Sequence, residues 1–285
     1  MIFPSFFKQQ STATLASPRV LLVGALSLYR QRFAQAVTIL TYGVLGVVAT
    51  SVVFVIVVVM AAVGTASPSP IIALLSLIVG GLFTVLALLM VALAQLWTML
   101  ALTVSLLPEQ PIASARLAFR DTRALVFPYL WVVVATSALT VIGFVLLFIP
   151  GVIASIWFSL GMVVLVLEKR RGLDVLLVSR EYVRGRWWAI FYRIAVLALL
   201  AAVLSFTVNI PSELGLSALA GAMNFALQLL LTPVIIAYTI LLYRSVVAQT
   251  PPESVVADAR LRRFMVIGLV LAGCAAAVFS VVFFS

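Results

Sequence analysis

From Ile71 to Leu107 the chain runs for 37 residues without a charged side chain, and that one stretch decides which solvent surrounds the fold. As a helix it would reach about 55 Å, nearly twice the roughly 30 Å hydrocarbon core of a bilayer. Lipid offers the backbone no hydrogen bonds, so a segment inside it must pair its own N–H and C=O groups as a helix or join a closed barrel. The apolar residues here are continuous instead of alternating, and the run far exceeds the ~10 residues of a barrel strand. The spans are therefore helices. Composition extends this to the whole chain: of 285 residues, 65% are hydrophobic and 9% charged, against roughly 45–50% and about 25% in a soluble domain.

Further runs of the same kind occupy residues 37–63, 129–149, 151–167, 189–210, 216–247 and 264–284. The expectation is an all-α, polytopic transmembrane helix bundle of about seven spans. Pro68 and Pro70 turn the chain after the first span, and Pro150-Gly151 separates the third from the fourth in a tight hairpin. Pro233 is expected to kink the sixth, and the overlong second to protrude into the cytoplasm. Residues 1–36 then form an N-terminal segment with an interfacial helix, 37–247 a six-span membrane domain of three helical hairpins, and 248–285 a cytoplasmic linker with the seventh helix.

All 18 Lys and Arg residues lie before span one, in the second-to-third, fourth-to-fifth and sixth-to-seventh connections, or, for Arg193 and Arg244, just inside the adjoining ends of spans five and six. The opposite connections, around Pro68, Pro150 and Pro211, hold one charge, Glu213. Positive charge marks the cytoplasmic side. Seven spans therefore place the N-terminus inside and the C-terminus outside a bacterial cytoplasmic membrane, whereas adding or deleting a span scatters the pattern over both faces. Lys8 follows the apolar stretch 2–7, which is too short for a cleaved signal, so span one is expected to stay as a signal anchor. A net charge of +10 would point a soluble protein toward nucleic acid. Confined to membrane-adjacent segments, it is accounted for by topology and anionic headgroups, and no nucleic-acid partner is expected. Cys274, the single cysteine, can form no intramolecular disulfide.

Three segments on the basic side read as amphipathic helices running into a span. In the first, Leu22, Ala25, Leu26, Tyr29, Phe33 and Ala36 recur at helical spacing, with Ser27, Arg30, Gln31 and Gln35 on another face. In the second, Arg116, Arg120 and Arg123 form a stripe away from Ala115, Ala118, Phe119 and Leu125. The third sets Val175, Val178 and Tyr182 opposite Arg180, Glu181 and Arg184, stops at Gly185 and restarts beside Arg186 with Trp187-Trp188. With Arg170 and Arg171 this last cluster is the densest candidate for contact with lipid headgroups. An aromatic-and-arginine motif thus precedes spans one, three and five, which fits either a triplicated helix-plus-hairpin unit or convergent interfacial anchoring.

The run Ile149-Pro150-Gly151, followed by Trp157, Glu168, Gly172, Leu176, Ser179, Val183, Gly185 and Trp187-Trp188, resembles the signature of the bacterial glycerophosphoryl diester phosphodiesterase membrane-domain family and of related multi-span families of uncharacterised function. It covers residues 149–191, and 26–36 resembles the family's N-terminal lead-in more loosely. The resemblance implies a six-span fold, to which the seventh span is an addition. It also implies a structural role for Pro150, Gly151, Glu168, Gly172, Ser179 and Gly185. In that family the chemistry belongs to an attached barrel with paired histidines and metal-binding carboxylates. This chain has no histidine, and its longest non-membrane stretches are too short for a barrel, so phosphodiesterase activity is not expected.

No other catalytic pattern takes its place. The eight acids sit in connections or at span ends, and without His or clustered Cys they form no metal set, so no metal or cofactor is expected. Glu168 is expected to pair with Lys169–Arg171 or to cap its span, and Ser179 to bond within its own helix. The mid-membrane polar residues are Gln95, Asn224 and Gln228, with Asn209 near an outer end; they are expected to fix helix packing. Gly268 with Ala272, and Gly273 with Ala277, form overlapping small-residue pairs that would admit a close helix, from this chain, a second copy or a membrane-protein partner. The functional expectation is a non-enzymatic membrane domain that binds lipid or scaffolds a partner. The alternative is a permease or the membrane subunit of an export system for a lipid or other apolar solute.

Overall fold

The computed structural model describes residues 15–66, 69–109, 114–146, 148–213, 215–250, 263, 265–268 and 270. No strand occurs among them. Six stretches are long and apolar enough to cross a membrane: Phe33–Thr65, Pro70–Ser105, Ala115–Val145, Phe148–Leu167, Trp187–Glu213 and Ser217–Val247. The chain is an all-α, multi-pass membrane bundle. The expected seventh span lies largely outside the described residues, and Ala272, Gly273, Cys274 and Ala277 lie wholly outside them.

The chain divides into two compact units. The first, a hairpin unit, holds residues 32–105 and 109–126. Its core is α2 (Phe33–Thr65) against α3 (Pro70–Ser105), with the short α4 (Ala115–Thr122) packed on α3. Helix α2 is rich in valine, which stiffens at χ1 and favours strands in water. In lipid, the need to pair every backbone group internally overrides that preference. Pro70 stands at the first position of α3, where no N–H partner is needed. The two long helices meet through glycines: a Cβ at Gly64 would strike the Ser76 side chain, one at Gly80 would strike Ala61, and one at Gly43 would strike Thr98.

Burial along this hairpin is uneven. Gln35, Ala36, Ile39, Leu40 and Gly43 are buried in α2, as are Thr98, Leu100 to Thr103 and Ser105 in α3. Within 45–63 no residue is buried, and within 71–90 only Gly80 and Ala87 are. Those apolar, exposed stretches rise about 28 Å and about 30 Å, close to the thickness of a hydrocarbon core. The excess length of both helices is thus taken up by a protein-packed base.

The second, a bundle unit, contains the described parts of residues 1–31, 106–108 and 127–285. Its elements are α1 (Pro18–Gln31), α5 (Val126–Leu146), α6 (Phe148–Phe158), α7 (Gly161–Leu167), α8 (Leu173–Val183), α9 (Trp187–Glu213) and α10 (Ser217–Val247). Helix α10 continues through Pro233, and its C-terminal half is buried on nearly every face, from Val234 through Tyr243 to Val246. Helices α1 and α9 pack on it.

Four sequence expectations shift here. The buried face of α1 is Leu21, Ala25, Leu28 and Tyr29, so the apolar stripe is displaced by about one position; Leu26 and Phe33 are exposed. Gln35, assigned to the polar face, is buried. Pro150 and Gly151 lie inside the first turn of α6 and do not form the turn before it, because a proline there forfeits no hydrogen bond. Gly151 instead serves the crossing of α5 and α6, where a Cβ on Gly143 would come 2.9 Å from the Gly151 Cα. Finally, the fourth span is interrupted at Ser159 and Leu160, where the Ser159 hydroxyl donates to the Ile156 carbonyl at 2.8 Å.

Candidate functional site

The segment that resembles a family signature builds the most connected polar site of the bundle unit. Helix α7 ends at Glu168, and the chain reverses through Lys169 (φ 54°) and Gly172 (φ 63°) into α8. Left-handed backbone at Gly172 suits the one residue with no Cβ. The reversal carries α8 back along α6 and α7, burying Val175 through Ser179, Tyr182 and Val183. The apolar face expected for this segment is therefore covered by protein.

Glu168 accepts three hydrogen bonds there. Tyr182 Oη donates to its Oε1 at 2.7 Å, Tyr243 Oη donates to the same oxygen at 2.8 Å, and Arg170 Nε donates to Oε2 at 3.0 Å. Its side chain is only 8% exposed, so the charge is admissible because both oxygens are satisfied and a guanidinium faces it. The pairing expected with the basic run thus exists through Arg170. The two phenols, one from α8 and one from the far end of α10, were not anticipated. Their rings meet edge to face at 5.7 Å. Burial, followed by the bond to Glu168, pushes the Tyr182 phenol well above its ordinary range, so it stays a neutral donor.

Ser179 departs from expectation. Its hydroxyl donates to the Trp157 carbonyl of α6 at 2.7 Å instead of to its own helix. Beside it, the Arg180 guanidinium lies 4.8 Å above the Trp157 ring and pairs with Glu181 at 2.8 Å, its side chain only 19% exposed. Arg180 is thus a packed residue. Arg171 and Arg184 are exposed, and Arg184 reaches Glu181 at 3.4 Å. Gly185, at φ 77°, ends the turn after α8, and Arg186 is half-buried. Trp187 then stacks on Phe191 at 5.1 Å, while Trp188 is 75% exposed.

Arg193 is the strongest clamp that sequence reading passed over. It sits in the second turn of α9, where its guanidinium donates to the carbonyls of Ala16 at 2.6 Å, Leu15 at 2.8 Å and Ala189 at 2.6 Å. Tyr238 Oη donates to its backbone carbonyl at 2.9 Å. An arginine early in an apolar span was the available signal, since a charge there needs partners.

In the hairpin unit, Arg116 and Arg120 on α4 and Arg123 just past its end are exposed as the stripe predicts, while Ala115 and Ala118 are buried. Arg120 and Asp121 approach at 3.6 Å, both largely exposed, a contact of small energetic weight. Phe119 meets Trp97 edge to face at 5.6 Å, and Trp97 Nε1 donates to the Phe119 carbonyl at 3.0 Å. At the foot of the hairpin Arg32 donates to the Ser105 carbonyl at 2.6 Å, placing a cation on the last turn of α3. Burial lowers the Arg32 pKa, against the opposing pull of Glu109.

Of the mid-membrane polar residues, Gln95 and Gln228 are exposed and Asn209 donates to Ser205 of its own helix at 2.7 Å. The expected packing role is not visible for these three, since neither glutamine is enclosed and the asparagine satisfies itself locally. Gly268 does face another helix: a Cβ there would stand 3.5 Å from Leu139 of α5. Among the described residues no three His, Cys, Asp or Glu side chains converge as a metal set. Comparison with protein families, with curated proteins and with solved structures finds no match.

Proposed function

We propose that this chain is a non-enzymatic domain of a bacterial cytoplasmic membrane, which gathers anionic lipid at its arginine-bearing helices and so provides a scaffold. The observation that supports this reading most is the division of labour among arginines. Arg32, Arg170, Arg180 and Arg193 are held by groups of the chain itself, whereas Arg116, Arg120, Arg123, Arg171 and Arg184 are exposed. Exposed arginines beside a membrane contribute about 1 kcal/mol each in attraction to anionic headgroups, and Trp188 and Tyr42 offer the amphipathic rings found at that level.

The test replaces Arg120, Arg123, Arg171 and Arg184 together with Gln, leaving the internally held arginines in place. Reporter fusions check that orientation is kept. Nanodiscs of mixed phosphatidylcholine and phosphatidylglycerol then report the lipid enriched around the protein. The parent should enrich phosphatidylglycerol and the variant should lose most of that enrichment; equal enrichment would overturn the proposal.

A further inference from the structure

Within the hairpin unit, a cavity of about 380 Å³ opens between the bases of α2, α3 and α4. Its walls include Tyr42 and Gly46 from α2, Trp97 and Thr98 from α3, and Phe119 and Arg116 from α4. Two of the polar wall groups are spent internally: the Trp97 indole donates to the Phe119 carbonyl and to Thr122 Oγ1, and the Thr98 hydroxyl donates to the Ala94 carbonyl. The interior is therefore mainly apolar. Among the described residues no carboxylate pairs with Arg116.

Gly46 lines the cavity with bare backbone. A Cβ there would meet no atom within 4 Å, unlike one at Gly43, which would strike Thr98. Its level is set by the stem of the hairpin. If residues 45–63 and 71–90 fill the hydrocarbon core, Tyr42 and the 94–98 turn of α3 fall just beyond its edge, and Arg116 falls among the headgroups.

We propose that this cavity is a site for one anionic glycerophospholipid of the surrounding bilayer, its phosphate at Arg116 and the upper part of one acyl chain between Tyr42, Gly46 and Trp97. A mainly apolar slot lined by one guanidinium with no carboxylate partner complements the junction of an acyl chain and a phosphate. Arg120 on the same helix and Arg123 just past its end add positive charge. The inference rests on the reading that the arginine-bearing helices meet anionic lipid, and narrows it to one site of defined shape.

Two variants test it: Gly46→Phe, which fills the slot and keeps every arginine, and Arg116→Gln, which keeps the slot. Native mass spectrometry follows full-length protein taken from phosphatidylglycerol nanodiscs through stepwise delipidation, with phosphatidylcholine of the same chains as the comparison. The parent should retain one phosphatidylglycerol. Gly46→Phe should weaken retention at least tenfold and Arg116→Gln about fivefold, while the four-arginine variant above keeps the retained lipid. Retention by Gly46→Phe equal to the parent, equal retention of phosphatidylcholine, or no retained lipid in the parent would each overturn the site. The last result leaves the diffuse enrichment of the broader reading standing. As a check independent of variant folding, phosphatidylglycerol with a diazirine on its acyl chain should label residues 42–46 or 94–98 of the parent, and labelling confined elsewhere refutes the assignment.

Discussion

Tyr243 Oη donates to Glu168 Oε1 across 2.8 Å, tying the last turns of α10 to the residue that ends α7, 75 positions earlier. Tyr182 donates to the same oxygen, so the two bonds are coupled through one acceptor. Tyr182→Phe and Tyr243→Phe should each lower stability by about 1.5–3 kcal/mol, the range for hydrogen bonds to a charged group. Because the partners share an acceptor, the double variant should depart from additivity by at least about 0.5 kcal/mol. Reversible unfolding in mixed detergent measures the cycle, and strict additivity would show that the phenols act independently.

The same cluster predicts an alkaline sensitivity. The folded state raises the Tyr182 pKa above its reference value of 10.0, so it binds the phenolic proton more tightly than the unfolded chain does. The resulting stability is complete below about pH 10 and is lost as pH climbs from there toward the folded-state value. Unfolding midpoints should fall above pH 10, and Tyr182→Phe should flatten part of that fall. An unchanged slope in the variant would contradict the assignment.

Arg193→Met keeps a long apolar stem and removes the donors to Leu15, Ala16 and Ala189. It should cost roughly 3 kcal/mol and free the residues before α1. Limited proteolysis in detergent should then cleave near Ala16 in the variant at protease levels that spare the parent.

Glycines separate by what surrounds them. Gly143→Ala drives a methyl into the backbone of Gly151, whereas a Cβ at Gly81 meets nothing within 4 Å. Gly143→Ala should lower the thermal midpoint, while Gly81→Ala should leave it unchanged or raise it, since alanine is favoured over glycine in a helix by up to about 1 kcal/mol. Equal effects would refute the close α5–α6 crossing.

Reporter fusions after Ala66, Leu146 and Gly215 should read outside, and fusions after Arg123, Arg184 and Arg263 should read cytoplasmic. A cytoplasmic reading at Ser285 would remove the seventh span.

The sequence by itself determined the lipid environment, the all-α class and six of the about seven spans it predicts, because in lipid an uninterrupted apolar run has one way to pair its backbone. It also determined that Arg116, Arg120 and Arg123 share an exposed face, since the two turns of a short helix and the residue that follows leave little to context. It did not determine the phase of α1, where several apolar faces compete and packing against α10 chose Leu21, Ala25 and Leu28. Nor did it reveal that Pro150 opens a helix instead of breaking one, because the same ring geometry serves both positions. Tyr243 lies 75 residues from Glu168, Trp157 lies 22 from Ser179 and Ala16 lies 177 from Arg193, and no local spacing encodes a contact made when two helices close on each other. The same holds for the cavity beside Gly46, since an absent side chain becomes a space only when α2, α3 and α4 surround it.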